Sequence, residues 1–211
     1  MNYKTFETLV RDNERPVILI EGTRALPAED REKLVWLAAA LAKDLPEAIF
    51  RTGNAEGSDE AFAEGVNSVD PARLQYVLPY PGHRKKKIPS TSYQFAGSEV
   101  SRVAEKHAVY VTNESSPKYA TMLEKRDTVP SLKSKSQYII RDTLKVTGAE
   151  EEGLAPATVG IFHVNAADPM QGGTGHTIRV CQNQGVPTVF QNEWMNWQIT
   201  PPSCWNPEGA L

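Results

Sequence analysis

Cysteine is nearly absent. The 211 residues hold two, Cys181 and Cys204, which form neither a C-x-x-C pair nor a disulfide framework. This excludes a disulfide-stapled scaffold, and Cys181, inside a predicted helix, reads as a small core residue. No apolar run reaches the ~18 residues of a membrane span. The opening stretch MNYKTFETLVRDNERP is charged and lacks an apolar centre, so it does not read as a secretory signal. A cytoplasmic protein is the simplest expectation. His83, His107, His163 and His176 have no matching Cys or acidic cluster, and no metal site is expected. Both common nucleotide fingerprints are missing. GNAEGSD is not G-x-G-x-x-G, and no G-x-x-x-x-G-K-[ST] occurs, which disfavours a simple NAD or ATP-hydrolysing site. No cofactor is expected.

A strong charge of one sign is also missing, since the net charge is only −3. The distribution is uneven. Residues 81–145 hold 13 Lys and Arg against 6 Asp and Glu, leaving 10 against 20 elsewhere. The basic middle, with HRKKK at 83–87, can face an anion or can be a solvated loop.

What is present is an alternation of strands and helices. PVILIEG (16–22) is an apolar run closed by glycine, as in a buried parallel strand. Residues 28–43 read as a helix, with Leu34, Leu37, Ala38 and Leu41 at three- and four-residue spacing. EAIFRTG is a second strand, and SDEAFAEGV starts a helix that Ser58 or Asp59 can cap. LQYVLPY (74–80) is a third strand. The spacing in SEVSRVAEKHAVYVTNES predicts a helix and then a strand at 108–112. SSPKYATMLEKRDTVPSLKSKS is polar and Pro-punctuated, and SQYIIRDTLKVTG reads as a helix. ATVGIFHV (157–164) is a strand. GHTIRVCQNQG is a helix capped by Gly185, with Pro187 beyond, and VPTVFQ is the last strand. The pattern implies an α/β chain: a Rossmann-like open parallel sheet with helices on both faces. We expect a single domain over 1–211, with an insertion at 81–137 and a Trp/Pro-rich tail at 192–211. Trp194, Trp197 and Trp205 in that tail can pack on the body or on a partner.

Three strand ends carry glycines and hydroxyls: EGTRA (21–25), RTGNAEGSDEA (51–61) and NAADPMQGGTGHT (165–177). An open parallel sheet brings such ends to one edge, where ligands bind. Glycine lets backbone approach closely, and a following helix offers free N–H groups and a positive dipole end. Phosphate suits such a place. The candidate binding residues are Gly22, Thr23, Arg24, Gly53, Gly57, Ser58, Asp59, Arg141, Gly172, Gly173, Thr174, Gly175, His176 and Thr177. Arg51 is a further candidate cation. Asp59 can hold a ribose or simply serve its helix start, and Arg141 can bind phosphate or pair on the surface. Glu21 and Glu56 are the carboxylates nearest the expected cleft. With His176, which can act as an acid or base, they are the catalytic candidates. His163, within an apolar strand, reads as a core histidine. Tyr93 and Phe95 can stack on a base or pack in the core.

These loops together resemble the SLOG superfamily, a Rossmann-like group that includes DNA-processing proteins and LOG-type phosphoribohydrolases. VILIEGTRAL resembles its first strand and turn, and RTGNAEGSDEAFAEGV its Gly-rich helix start. YIIRDTLKV resembles its Arg-Asn helix, and QGGTGHTIRVCQNQGVPTVF its Gly-Gly-x-Gly-Thr helix and following strand. The resemblance spans most of residues 16–190. It implies binding of a nucleotide, an ADP-ribose-like molecule or a phosphoribosyl compound, and a homodimer. It implies two alternatives as well: hydrolysis of a nucleoside monophosphate, and binding of single-stranded DNA by the basic middle. The LOG motif Pro-Gly-Gly-x-Gly-Thr-x-x-Glu is altered, with Gln171 for Pro, His176 for Thr and Arg179 for the catalytic Glu. Asp142 replaces the Asn of Arg-Asn, and Thr23 a Ser. Binding features are better kept than the catalytic one.

Overall fold

The computed structural model describes residues 1–199. Trp205, Cys204 and the rest of the expected tail beyond Ile199 lie outside the described residues. Among the described residues six strands form one all-parallel sheet: β1 Val17–Gly22, β2 Ile49–Thr52, β3 Leu74–Leu78, β4 Tyr93–Ala96, β5 Val159–His163 and β6 Thr188–Phe190. Their order is β4-β3-β2-β1-β5-β6. The chain steps outward from β1 to β4, then crosses back to lay β5 against the other side of β1. The order therefore reverses between β1 and β5, which makes a crevice at their carboxyl ends.

Among the described residues the eight α-helices are α1 Tyr3–Arg11, α2 Ala28–Asp44, α3 Ser58–Val69, α4 Arg102–Ser115, α5 Ala120–Glu124, α6 Pro130–Thr147, α7 Gly172–Asn183 and α8 Gln191–Trp194. Helices α2 and α3 pack together on one side of the sheet, and α4, α6 and α7 on the other. Both faces of the central strands are buried. Ile18 and Ile20 join the cluster under α2 and α3, while Leu19 between them joins the one under α7. Burial of each such side chain contributes about 1.5–3 kcal/mol. The N-terminal stretch is helical: Phe6 and Val10 of α1 are fully buried, and Asn2 caps the helix by accepting from the Thr5 N–H at 2.9 Å. Trp194 and Trp197 pack on the body. Trp194 Nε1 donates to the Phe162 carbonyl at 3.0 Å, and the Trp197 ring lies 4.7 Å from that of Phe6.

Three local expectations are corrected. Residues 108–112 are not a strand but part of α4: Ala108, Val111 and Thr112 are buried at helical spacing, while Tyr110 is 63% exposed. The sixth strand comes instead from Tyr93–Ala96, which pairs with β3 at the sheet edge. The segment 81–137 thus supplies β4, α4, α5 and the first turns of α6. At α3 the cap position belongs to Gly57, because the Ser58 and Asp59 side chains reach across to other strand ends. Gly185 does end α7, and the Val186 N–H after it returns to the Cys181 carbonyl at 2.8 Å.

Candidate functional site

A cleft of about 500 Å³ opens at the carboxyl ends of β1 and β5. Its walls are the turn after β1, the start of α3, one face of α6, the 164–169 loop and the start of α7. Glu21, Gly22, Thr23, Arg24, Asp59, Arg141, Gly172, Gly173 and Thr174 all line it, so these sequence candidates are brought together. Gly22 permits the closeness of the two strands, since a Cβ there would lie 2.1 Å from the His163 carbonyl. Gly172 opens α7 at φ +62°, a conformation that side-chain-bearing residues rarely adopt. The first helical bond of α7 runs from the Gly175 N–H to the Gln171 carbonyl. The N–H groups of Gly172, Gly173 and Thr174 precede it and have no partner within the helix.

Asp59 is the hub of the neighbouring loops. Its Oδ1 accepts from the Gly22 N–H at 3.2 Å, and its Oδ2 from those of Gly53 at 3.2 Å and Ala55 at 3.3 Å. A resident carboxylate therefore occupies the N–H groups expected to meet a ligand there. The Ser58 N–H and hydroxyl both go to the Thr23 carbonyl, and the Thr174 hydroxyl donates to the Gly22 carbonyl at 2.9 Å.

The cleft floor holds four buried charges. Lys145 Nζ contacts Glu21 Oε1 and lies 2.8 Å from Asp142 Oδ1, and Arg141 Nε is 3.1 Å from the same oxygen. Arg141 Nη1 also donates to the Gly53 carbonyl. Burial pushes the Glu21 carboxyl up to about 7, against the pull of Lys145 and with the help of Asp59 and Asp142. Burial acts the same way on Asp142, but Arg141 and Lys145 outweigh it and hold that carboxylate below its ordinary range. One acid is thus poised near neutrality beside one that stays ionised. Arg24, at the mouth, is exposed and has no ion-pair or hydrogen-bond partner among the described residues.

Other candidates lie elsewhere. His176 is fully buried one turn further along α7, between α7, α6 and Ser116, and does not line the cleft. Its Nδ1 is 2.9 Å from Ser116 Oγ and its Nε2 3.0 Å from Thr143 Oγ1, and burial pushes its pKa down to about 4. Gly173 and His176, three residues apart, share the face of α7 that meets α6, but His176 lies a turn deeper, where hydroxyls and not the cleft surround it. Glu56 is 73% exposed and faces Arg84, outside the cleft, because the 53–57 turn carries it outward. Arg51 is fully buried on β2 and spends its donors on Gln75 and the Lys145 carbonyl. Gly53 does not line the cleft but holds two residues that do, its N–H donating to Asp59 and its carbonyl accepting from Arg141, and Gly57 lies against the Arg24 backbone. Gly175 packs on the Met170 backbone, and the Thr177 hydroxyl bonds the Gly173 carbonyl at 3.2 Å. Arg179, in the place of the LOG glutamate, bonds Ser116 Oγ and the Met170 carbonyl. His163 is buried and meets Asp30 at 3.0 Å. Phe95 packs against the core and Tyr93 sits on the edge strand. Sequence reasoning passed over Lys145 and Tyr138. The signal for Lys145 was there: Arg141, Asp142 and Lys145 interrupt the otherwise apolar IIRDTLKV, which implies buried charge.

The sheet order, the reversal at β1 and β5 and the cleft beside it define an α/β, Rossmann-like protein. No family model and no curated protein sequence matches the chain. Among solved structures it is similar to DNA processing protein A from Helicobacter pylori, described for its single-stranded DNA binding mode. The TM-score is 0.50 at 16% identity, over 87% of this chain and 67% of that one. At this identity the likeness is one of fold. Among the described residues no helix is long and apolar enough to cross a membrane.

Proposed function

We propose that this chain is a SLOG-type protein that binds a nucleotide or other phosphoribosyl compound in the cleft between β1 and β5. The phosphate rests on the N–H groups of Gly172, Gly173 and Thr174, and Arg24 meets its charge. The observation that carries this is the coincidence, at the switch point, of a cleft of about 500 Å³, an open helix start and an unpaired cation. Arg141 and Lys145 are tied to carboxylates and shape the floor. The test is a thermal-shift panel of nucleoside monophosphates, ADP-ribose and ribose 5-phosphate, followed by calorimetry. A ligand should raise Tm. Arg24→Ala should weaken it about 10-fold and Gly173→Asp should abolish it, while a ligand indifferent to both would refute the placement.

One observation favours a second reading. Glu21, buried in the cleft floor with a pKa near 7 beside ionised Asp142, is suited to proton transfer in N-glycosidic hydrolysis. That reading requires release of free base from a nucleoside monophosphate and loss of release in Glu21→Gln. The fold shared with a protein that binds single-stranded DNA supports a third reading, in which the basic 84–87 segment meets the strand. The homodimer implied by the resemblance is proposed too. Val103 and Tyr110, exposed seven residues apart on α4, offer an apolar surface for it, and sedimentation velocity tests it.

A further inference from the structure

We propose that Tyr138, which lines the cleft, and the Tyr80 and His83 rings packed against it form a nucleobase subsite, so that the cleft takes a nucleoside phosphate in preference to a bare phosphosugar. This rests on the cleft being a ligand site and names the second half of its ligand.

Tyr138 lies on α6 one turn before Arg141 and lines the cleft. Its ring meets the Tyr80 ring at 6.3 Å and 90°, and the His83 ring at 5.5 Å and 88°. Tyr80 and His83 meet each other at 5.2 Å and 79°. Three rings from two separate segments thus stand edge to face at one corner. They do not serve the core: none belongs to an apolar cluster, Tyr80 is 37% exposed, and the other two remain partly open to water.

The corner is uncharged but ringed by cations. Burial, then the nearby guanidinium groups of Arg141, Arg84 and Arg24, holds His83 below its ordinary value, so the imidazole is neutral at pH 7. The Arg141 guanidinium lies 5.7 Å from the Tyr138 ring centroid and braces it. Arg24 bears on both Tyr138 and His83 and has donors but no acceptor. A nucleobase matches this set, having a π face to stack on the rings while Arg24 meets the phosphate it carries. Phosphate and ribose 5-phosphate have no face to offer. The cleft divides into an aromatic end and an N–H-rich end, as a nucleotide divides into base and phosphate.

The experiment is calorimetry on the full chain with AMP, GMP, CMP, UMP and ribose 5-phosphate, repeated on Tyr138→Leu, Tyr138→Phe and Tyr80→Ala. At least one nucleotide should bind more tightly than ribose 5-phosphate. Tyr138→Leu, which keeps bulk and loses the π face, should weaken that nucleotide about 10-fold and leave ribose 5-phosphate within about twofold. Tyr138→Phe should restore affinity. Tyr80→Ala, at an exposed position, should weaken the nucleotide as well and serves if Tyr138→Leu does not fold. Equal affinity for nucleotide and ribose 5-phosphate overturns the subsite. So does nucleotide binding that Arg24→Ala reduces but neither tyrosine change touches, and in that case the phosphate site stands. If neither nucleotides nor ribose 5-phosphate bind, the cleft itself fails as a ligand site, and the subsite with it.

Discussion

Asp59 and His176 show how one residue type can be read two ways until its neighbours are known. Asp59 accepts from three backbone N–H groups on two strand-end loops and so does the work of an anion inside the fold. Asp59→Ala leaves those donors without their acceptor. It should lower stability by about 3 kcal/mol in urea denaturation, and a loss below about 1 kcal/mol would mean that water replaces the carboxylate freely. His176 is buried neutral between two hydroxyls, with its pKa pushed down to about 4. The unfolded chain, with a histidine near 6.5, binds the proton first as pH falls. Stability from this group is therefore full above about pH 6.5 and is lost as pH drops towards 4, by about 3 kcal/mol in all. Urea midpoints at pH 7 and pH 4.5 should differ more in the native chain than in His176→Gln. An identical difference in both would show that other groups carry the acid sensitivity.

At the scale of elements, α6 is joined to β1 by charge. Lys145 lies against Glu21 of β1 and Asp142 of its own helix, all nearly without solvent. Removing one member leaves an uncompensated charge in a dry place, whereas removing two together does not. Lys145→Met should cost about 3–5 kcal/mol, and adding Glu21→Leu should recover part of it. A double-mutant cycle by thermal unfolding measures this, and strictly additive losses would deny the coupling. The same elements show what the sequence could and could not disclose. β1, β2, β3, β5 and β6 announce themselves as short apolar runs, and glycine or proline closes those of β1, β2 and β3. β4 does not: YQFA is short, lies on the edge and keeps Tyr93 exposed, so no apolar run marks it. The β-branched HAVYVT stretch imitated a strand, yet its buried residues follow a helical period that only packing against α6 reveals. Part of the cleft was legible, because sheet topology gathers strand ends without regard to side-chain detail. Gly22, Arg24 and Gly172–Thr174 follow on that ground, whereas Arg141, on α6, enters through the resemblance of YIIRDTLKV. Which face of α7 His176 takes, and which loop Asp59 reaches, depend on three-dimensional partners far apart in the chain.

For the whole molecule, the question is what the uneven charge does. Residues 81–145 carry 13 of the 23 Lys and Arg, as an anion-binding surface would. Folding consumes much of that excess. Arg84 and Lys87 both pair with Glu60, at 3.3 and 3.0 Å, while Arg141 and Lys145 are turned inward. Of the HRKKK cations, Lys85 and Lys86 remain in solvent. A strand of DNA running along this segment would meet two free lysines, and an arginine and a lysine held by a glutamate. This sets opposite expectations for two variants. If the segment is a DNA interface, Lys85→Ala/Lys86→Ala should weaken binding of an oligothymidylate and flatten its dependence on log salt by about 1.4. Glu60→Gln, which releases Lys87 and leaves Arg84 only its longer contact with Glu56 and the Asn54 carbonyl, should strengthen binding and steepen that dependence. Fluorescence anisotropy across a salt series reads both. If neither variant changes the affinity, the basic stretch is solvated surface and not a DNA interface.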